Sequence, residues 1–267
     1  MERLTQFTSG ILRRTGVLFS PSWFLRQDAW LTGAASPATC ANMALGFVAA
    51  TVIAIKSDSL QMFLLGTLWV VIVAALFCVG SAGTTSCRRV VGASKTAVAG
   101  RDMLDALAIL VVFGGATVSV YAVYTAIQTS SPTPILNYAT VVIGLLFYLC
   151  LLLHPQLIGI EISPLASAGE EALSVGLLLM KCLARQAGML FGVLSMVGSL
   201  ALARGTWTVV TGTGNDMFAG RLELLGGVTL VLYGLLLPVL LYLAYISLAL
   251  FADLARAVLR HLPGDLR

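Results

Sequence analysis

The sequence predicts an all-α fold: a polytopic bundle of about six transmembrane helices with both termini in the cytoplasm. Three observations lead there. The 267-residue chain is 58% hydrophobic and 10% charged, with a mean hydropathy of +0.95. A water-soluble domain carries roughly a quarter of its residues as charges, so lipid must solvate much of this surface. Apolar runs of about 20 residues, the length that crosses a bilayer, recur along the chain, and the basic residues cluster at alternate ends of them.

Residues 1–35 are expected to form a cytoplasmic interfacial segment. In "GILRRTGVLFSPSWFLRQDAWL", Ile11, Leu12, Trp23, Phe24 and Trp30 alternate with Arg13, Arg14 and Arg26. Rings and cations in that mixture suit the headgroup layer. The segment has no unbroken apolar run before a small-residue cleavage site, so it does not read as a signal peptide.

The transmembrane domain is placed at 36–255. Its spans are "SPATCANMALGFVAATVIAI" (36–55), "LQMFLLGTLWVVIVAALFCVG" (60–80), "DALAILVVFGGATVSVYAVYTAI" (105–127) and "ILNYATVVIGLLFYLCLLL" (135–153). A fifth lies within 171–203 and a sixth runs from about Leu224 to Phe251. The polar turns "KSDSLQ" and "TSSPTP" separate them, since Pro132 and Pro134 lack amide donors and cannot extend a helix. Asp102 and Asp105 are expected to cap the third helix, where carboxylates favour the positive end of the dipole. Pro238 should kink the sixth. Residues 256–267 continue as an amphipathic cytoplasmic tail.

The cations set the orientation. With the N-terminus inside, Arg3, Arg13, Arg14, Arg26, Arg88, Arg89, Lys95, Arg101, Lys181, Arg185, Arg256, Arg260 and Arg267 are cytoplasmic, against Lys56, Arg204 and Arg221 outside. The five cysteines then sit on the cytoplasmic side or at cytoplasmic span ends. No disulfide framework follows, and without C-x-x-C spacing and with two histidines no metal site is expected.

Lys181 and Arg185, four residues apart, fall where the fifth span leaves the bilayer. They are expected to snorkel to anionic headgroups, together with Arg13, Arg14, Arg88 and Arg89. The adjoining "EEALSVGLLLM" (170–180) extends the helix with apolar residues that need cover, most simply from the fold itself. Gly188, Gly192, Ser195 and Ser199 form a small-residue stripe for helix packing or self-association.

Chemistry is hard to assemble. The span interiors hold almost no ionisable groups, and no nucleophile–base pair is found. His154 and His261 cannot form a transmembrane haem pair. Neither a catalytic site nor a cofactor is expected. "TVVTGTGND" (208–216) is faintly similar to the potassium-channel filter, but Asn215 splits the glycine from Asp216 and Thr213 stands where that family has an aromatic. A threonine- and glycine-rich external turn is the expectation instead.

The function expected is therefore non-enzymatic: organising lipids or partner proteins. The partners would be the bilayer, anionic headgroups, and a second copy or another membrane protein, not nucleic acid. The alternative is a passive permease or channel, with Asn137, Tyr138, Thr140 and Pro238 as possible cavity lining.

Overall fold

Ser20 and Pro21 start the first long helix. The Trp23 amide donates to Ser20 Oγ at 3.3 Å, and proline suits the first helical turn, where its missing N–H leaves no bond unmade. The computed structural model of the protein describes residues 16, 17, 19–94, 96–98, 100–129, 133–162, 168–213 and 215–261. Among these residues the helices are α1 (Pro21–Ser57), α2 (Leu60–Ala93), α3 (Arg101–Thr129), α4 (Thr133–Leu153), α5 (Ala168–Arg185), α6 (Ala187–Thr211) and α7 (Asn215–His261). Two three-residue strands, β1 (Thr96–Val98) and β2 (Ile160–Ile162), pair in parallel, with Thr96 opposite Ile160 and Val98 opposite Ile162.

The fold is all-α, apart from this short ladder. Helices α1, α2, α3, α6 and, over Met217–Val258, α7 are long and apolar enough to cross a membrane. Helix α4 is a shorter apolar helix from Tyr138 to Leu153.

Three elements differ from expectation. Helix α1 begins within the segment assigned to the interface and runs unbroken past residue 36, with Pro37 inside it. The single span expected within 171–203 is two helices, α5 and α6, meeting at Gln186. That side chain is 2% exposed; with its amide matched to its neighbours, it donates to the Gly144 carbonyl (3.0 Å) and accepts from the Tyr148 amide (3.2 Å) on α4. The threonine-rich stretch after residue 206 is helical through Thr211, so Thr208–Thr211 form no extended filter. Gly212 and Thr213 are the described residues between α6 and α7.

The chain divides into two compact units: one within 1–27, 85–187 and 240–267, the other within 28–84 and 188–239. In the second unit α6 is central, with 56% of its most apolar window buried. Ala35 and Ile53 of α1, Val73 of α2, Phe191 and Leu202 of α6, and Val231 and Leu235 of α7 belong to its core cluster. Helices α6 and α7 pack through glycines seven residues apart, Gly198 and Gly205 on one and Gly220, Gly227 and Gly234 on the other. A Cβ at Gly198 would stand 2.6 Å from a Val231 methyl, and one at Gly227 would stand 2.9 Å from the Leu202 amide. Seven-residue spacing keeps such notches on one helix face.

Gly192 makes the closest approach of all, to the Leu31 carbonyl of α1. One and two turns further along α6, the Ser195 carbonyl accepts from Asn42 Nδ2 at 3.2 Å and Ser199 Oγ donates to the Ala38 carbonyl at 3.0 Å. The Asn42 carbonyl in turn accepts from Trp69 Nε1 of α2 at 3.0 Å. At the other end of this unit, the Lys56 ammonium donates to the carbonyls of Val209 (2.7 Å), Val210 (3.0 Å) and Gly212 (3.1 Å), closing the end of α6.

Candidate functional site

The first unit concentrates its polar structure where α2 and α4 end. His154 follows the last residue of α4 and introduces a turn of 3₁₀ helix at Pro155–Ile158, which Gly159 terminates at φ +64°. A side chain at residue 159 would be strained by that angle and would press on the Ser94 carbonyl at 3.2 Å. Beyond Gly159 the chain enters β2, and the Thr96 amide donates to the Gly159 carbonyl at 3.3 Å.

Lys181 locks these turns together. Its side chain is 0% exposed, and its Nζ donates to the carbonyls of Ser94 (2.6 Å), Ile158 (3.1 Å) and Gly159 (3.5 Å). Carbonyls left over at helix ends need donors, and the ammonium supplies three. Burial pushes its pKa down from 10.5 to about 8. Next to it, burial pushes the Cys182 thiol up to about 12. The node extends to α7, where the Tyr245 hydroxyl lies 2.7 Å from Ser94 Oγ. Tyr245→Phe is expected to lower stability by about 1 kcal/mol, read as a lower unfolding temperature in detergent.

Beside the node a cleft of about 820 Å³ opens, lined by Arg101 and Asp105 of α3 and by His154, Gln156, Ile160 and Ile162. His154 Nε2 lies 2.8 Å from the Phe19 carbonyl and 3.2 Å from the Gly16 carbonyl. Both neighbours are acceptors, so Nε2 carries the proton. Asp105, expected as a cap, instead faces Arg101 at 3.8 Å, a long contact with the side chains 68% (Arg101) and 40% (Asp105) exposed. Further along the same helix pair lies an apolar groove of about 300 Å³ between Val112, Gly115 and Ser119 of α3 and Val142, Leu145 and Leu149 of α4.

The expected site residues are not gathered into one place. Lys181, expected at phosphate, is buried against carbonyls, because Ser174, Leu177, Leu178 and Ala184 on the same helix are buried with it. The apolar extension at 170–180 is thus covered in part by the fold. Arg185 stands over the Phe24 ring at 5.1 Å; Arg89 is exposed and Arg88 half-buried. Arg13 and Arg14 lie outside the described residues. The stripe of Gly192, Ser195 and Ser199 is engaged by α1 of the same chain, and Gly188 is buried, so this side of α6 is not a free face for a second copy. Tyr138 packs edge-on against Tyr121 at 5.5 Å. Thr140 Oγ1 is buried without a hydrogen-bond partner among the described residues. Asn137 lies on α4, in the first unit with these two, whereas Pro238 belongs to the second.

Sequence reasoning passed over Gln156, the Arg101–Asp105 pair as cleft lining, and the carbonyl-capping role of Lys181. One signal was present for the last: Leu177, Leu178 and Ala184 stand three or four residues from Lys181, which puts it inside an apolar stripe. The architecture defines a class, that of helical proteins with membrane-crossing lengths of apolar helix. Beyond the class, no protein-family model matches the chain, and neither a curated protein nor a solved structure matches it.

Proposed function

We propose that the protein is a non-enzymatic membrane protein that crosses the bilayer six times and organises lipids or partner proteins, with both termini cytoplasmic. The crossings are α1, α2, α3, α4, α6 and α7, and α5 lies at the cytoplasmic edge. Alternating crossings fit the contacts within each unit: the ends of α2 and α4 meet through β1 and β2, and the ends of α1 and α6 meet at Lys56. The excess of basic residues on the side of the ladder supports the orientation.

One observation carries the role. Helix α3 leaves its apolar length uncovered, with 11% of its most apolar window buried and Phe113, Val120 and Ile127 67%, 70% and 73% exposed. Such a face must meet acyl chains or another membrane protein.

The second reading, a passive permease, is favoured by the unpartnered Thr140 hydroxyl. Reconstitution separates the two. Vesicles containing the protein are expected to pass glycerol and potassium no faster than protein-free vesicles, and cross-linking in native membranes is expected to capture lipid or protein on α3. Flux above the protein-free rate that Thr140→Val abolishes would replace the organising role with the permease.

A further inference from the structure

The cleft and the apolar groove lie in register. On α3 the lining residues Arg101, Asp105, Val112, Gly115 and Ser119 are spaced four, seven, three and four apart, which is one face of a helix. On α4, Leu145 and Leu149 line the groove, and Leu153 and, just after the helix, His154 line the cleft. Asp105 and Val112 are two turns apart, about 10 Å at 1.5 Å per residue. The groove extends roughly another 10 Å to Ser119 by the same rise, most of the way into one leaflet of about 15 Å. Ala108, between Asp105 and Val112 on that face of α3, is buried, so the two openings are separate and a lipid has to bridge it. Together they have the length, and the change from polar to apolar, of a single membrane lipid.

We propose that this strip holds one zwitterionic glycerophospholipid bearing a primary amine, of the phosphatidylethanolamine type. The proposal rests on the organising role and names the lipid. The charges at its polar end decide the class. Arg101 and Asp105 are one turn apart, loosely paired at 3.8 Å and well exposed, so a headgroup carrying both signs can take each of them. Phosphate meets the Arg101 guanidinium, and the ammonium donates to the Asp105 carboxylate. An anionic headgroup without an amine would reach Arg101 but leave Asp105 unpaired beside its phosphate, and a trimethylated amine has no N–H to donate. One acyl chain then occupies the groove. A Cβ at Gly115 would find nothing nearer than a Leu145 methyl at 4.0 Å, which leaves room beside it in a groove that Phe19 also lines.

The test incubates the full chain with vesicles of equal parts phosphatidylethanolamine, phosphatidylcholine and phosphatidylglycerol. The protein is then extracted in mild detergent and the retained lipid weighed by native mass spectrometry. One phosphatidylethanolamine per chain is expected, enriched about fivefold over phosphatidylcholine, the discrimination one hydrogen bond at a partly exposed site provides. Gly115→Phe, which fills the groove, should lose the lipid with the unfolding temperature preserved. Asp105→Asn should keep a phospholipid and lose the preference for the amine. No retained lipid, equal retention of all three, preference for phosphatidylglycerol, or a preference untouched by Asp105→Asn would each overturn the site. Asp105 is partly exposed, so Asp105→Asn is expected to fold and this arm stands even if Gly115→Phe does not. Solute flux through the same vesicles would overturn the organising role instead, whatever the lipid result.

Discussion

Lys181→Met is expected to destabilise the protein by about 3 kcal/mol, because the carbonyls of Ser94, Ile158 and Gly159 lose a charged donor and the fully buried Ile158 carbonyl is left without its ammonium. The side chain keeps its volume, so little of that loss is a cavity effect. Thermal unfolding in detergent, followed by near-UV circular dichroism, measures it, and a change within about 0.5 kcal/mol, the range of ordinary surface substitutions, would show that the node holds nothing together. Lys181→Arg is expected to rescue poorly, since a planar guanidinium cannot aim three donors as an ammonium does.

The same residue gives a pH dependence whose sign is fixed. Its pKa in the folded protein is lowered from 10.5 to about 8. Between those values the unfolded chain holds a proton that the folded chain has released, so stability rises with pH there, by at most about 1.4 kcal/mol per pH unit. The neutral amine still has two hydrogens for the carbonyls. The gap between wild type and Lys181→Met should therefore widen from pH 8 to pH 10 and stay flat below pH 7. A gap that narrows on going alkaline would contradict the burial of this side chain.

Gly192→Ala is the second large effect. The new methyl would be driven into the Leu31 carbonyl, a backbone atom that cannot rotate aside, so α1 and α6 must separate. Overpacking of this kind costs about 1–3 kcal/mol, and the upper end is expected here. Gly92→Ala is the control, since a Cβ there meets nothing within 4 Å, and it should be neutral or slightly stabilising. Equal melting temperatures for the two variants would show that α1 and α6 do not touch at Gly192.

What could be read from the sequence were the features that depend on composition over many residues. Apolar runs of spanning length and the clustering of cations need no knowledge of neighbours. The break at Gln186 was missed because a lone glutamine in an apolar run carries no helix-stop signal, and the groups that hold its side chain, on Gly144 and Tyr148, lie more than thirty positions earlier. The ladder was invisible for the same reason. "TAV" and "IEI" are too short to read as strands, and each becomes one only beside the other. Lys181 was assigned to the headgroups because snorkelling is the common fate of a lysine near a span end. Leu177, Leu178 and Ala184 mark a stripe around it that points to burial instead. The seven-residue glycine period in α6 and α7 was legible, and was passed over in favour of the G-x-x-x-G pair at 188 and 192.

The ladder also orders the making of the protein. Thr96 leaves the ribosome 64 positions before Ile160, its partner in the register, and Lys181 follows later still. Until then Ser94 and Thr96 stand at the end of a helix with their backbone groups open to water or to other chains. A chain arrested before residue 160 has four helices but no latch. Synthesis of α5 supplies the bolt, and the unit is complete only when α7 brings Tyr245 to Ser94.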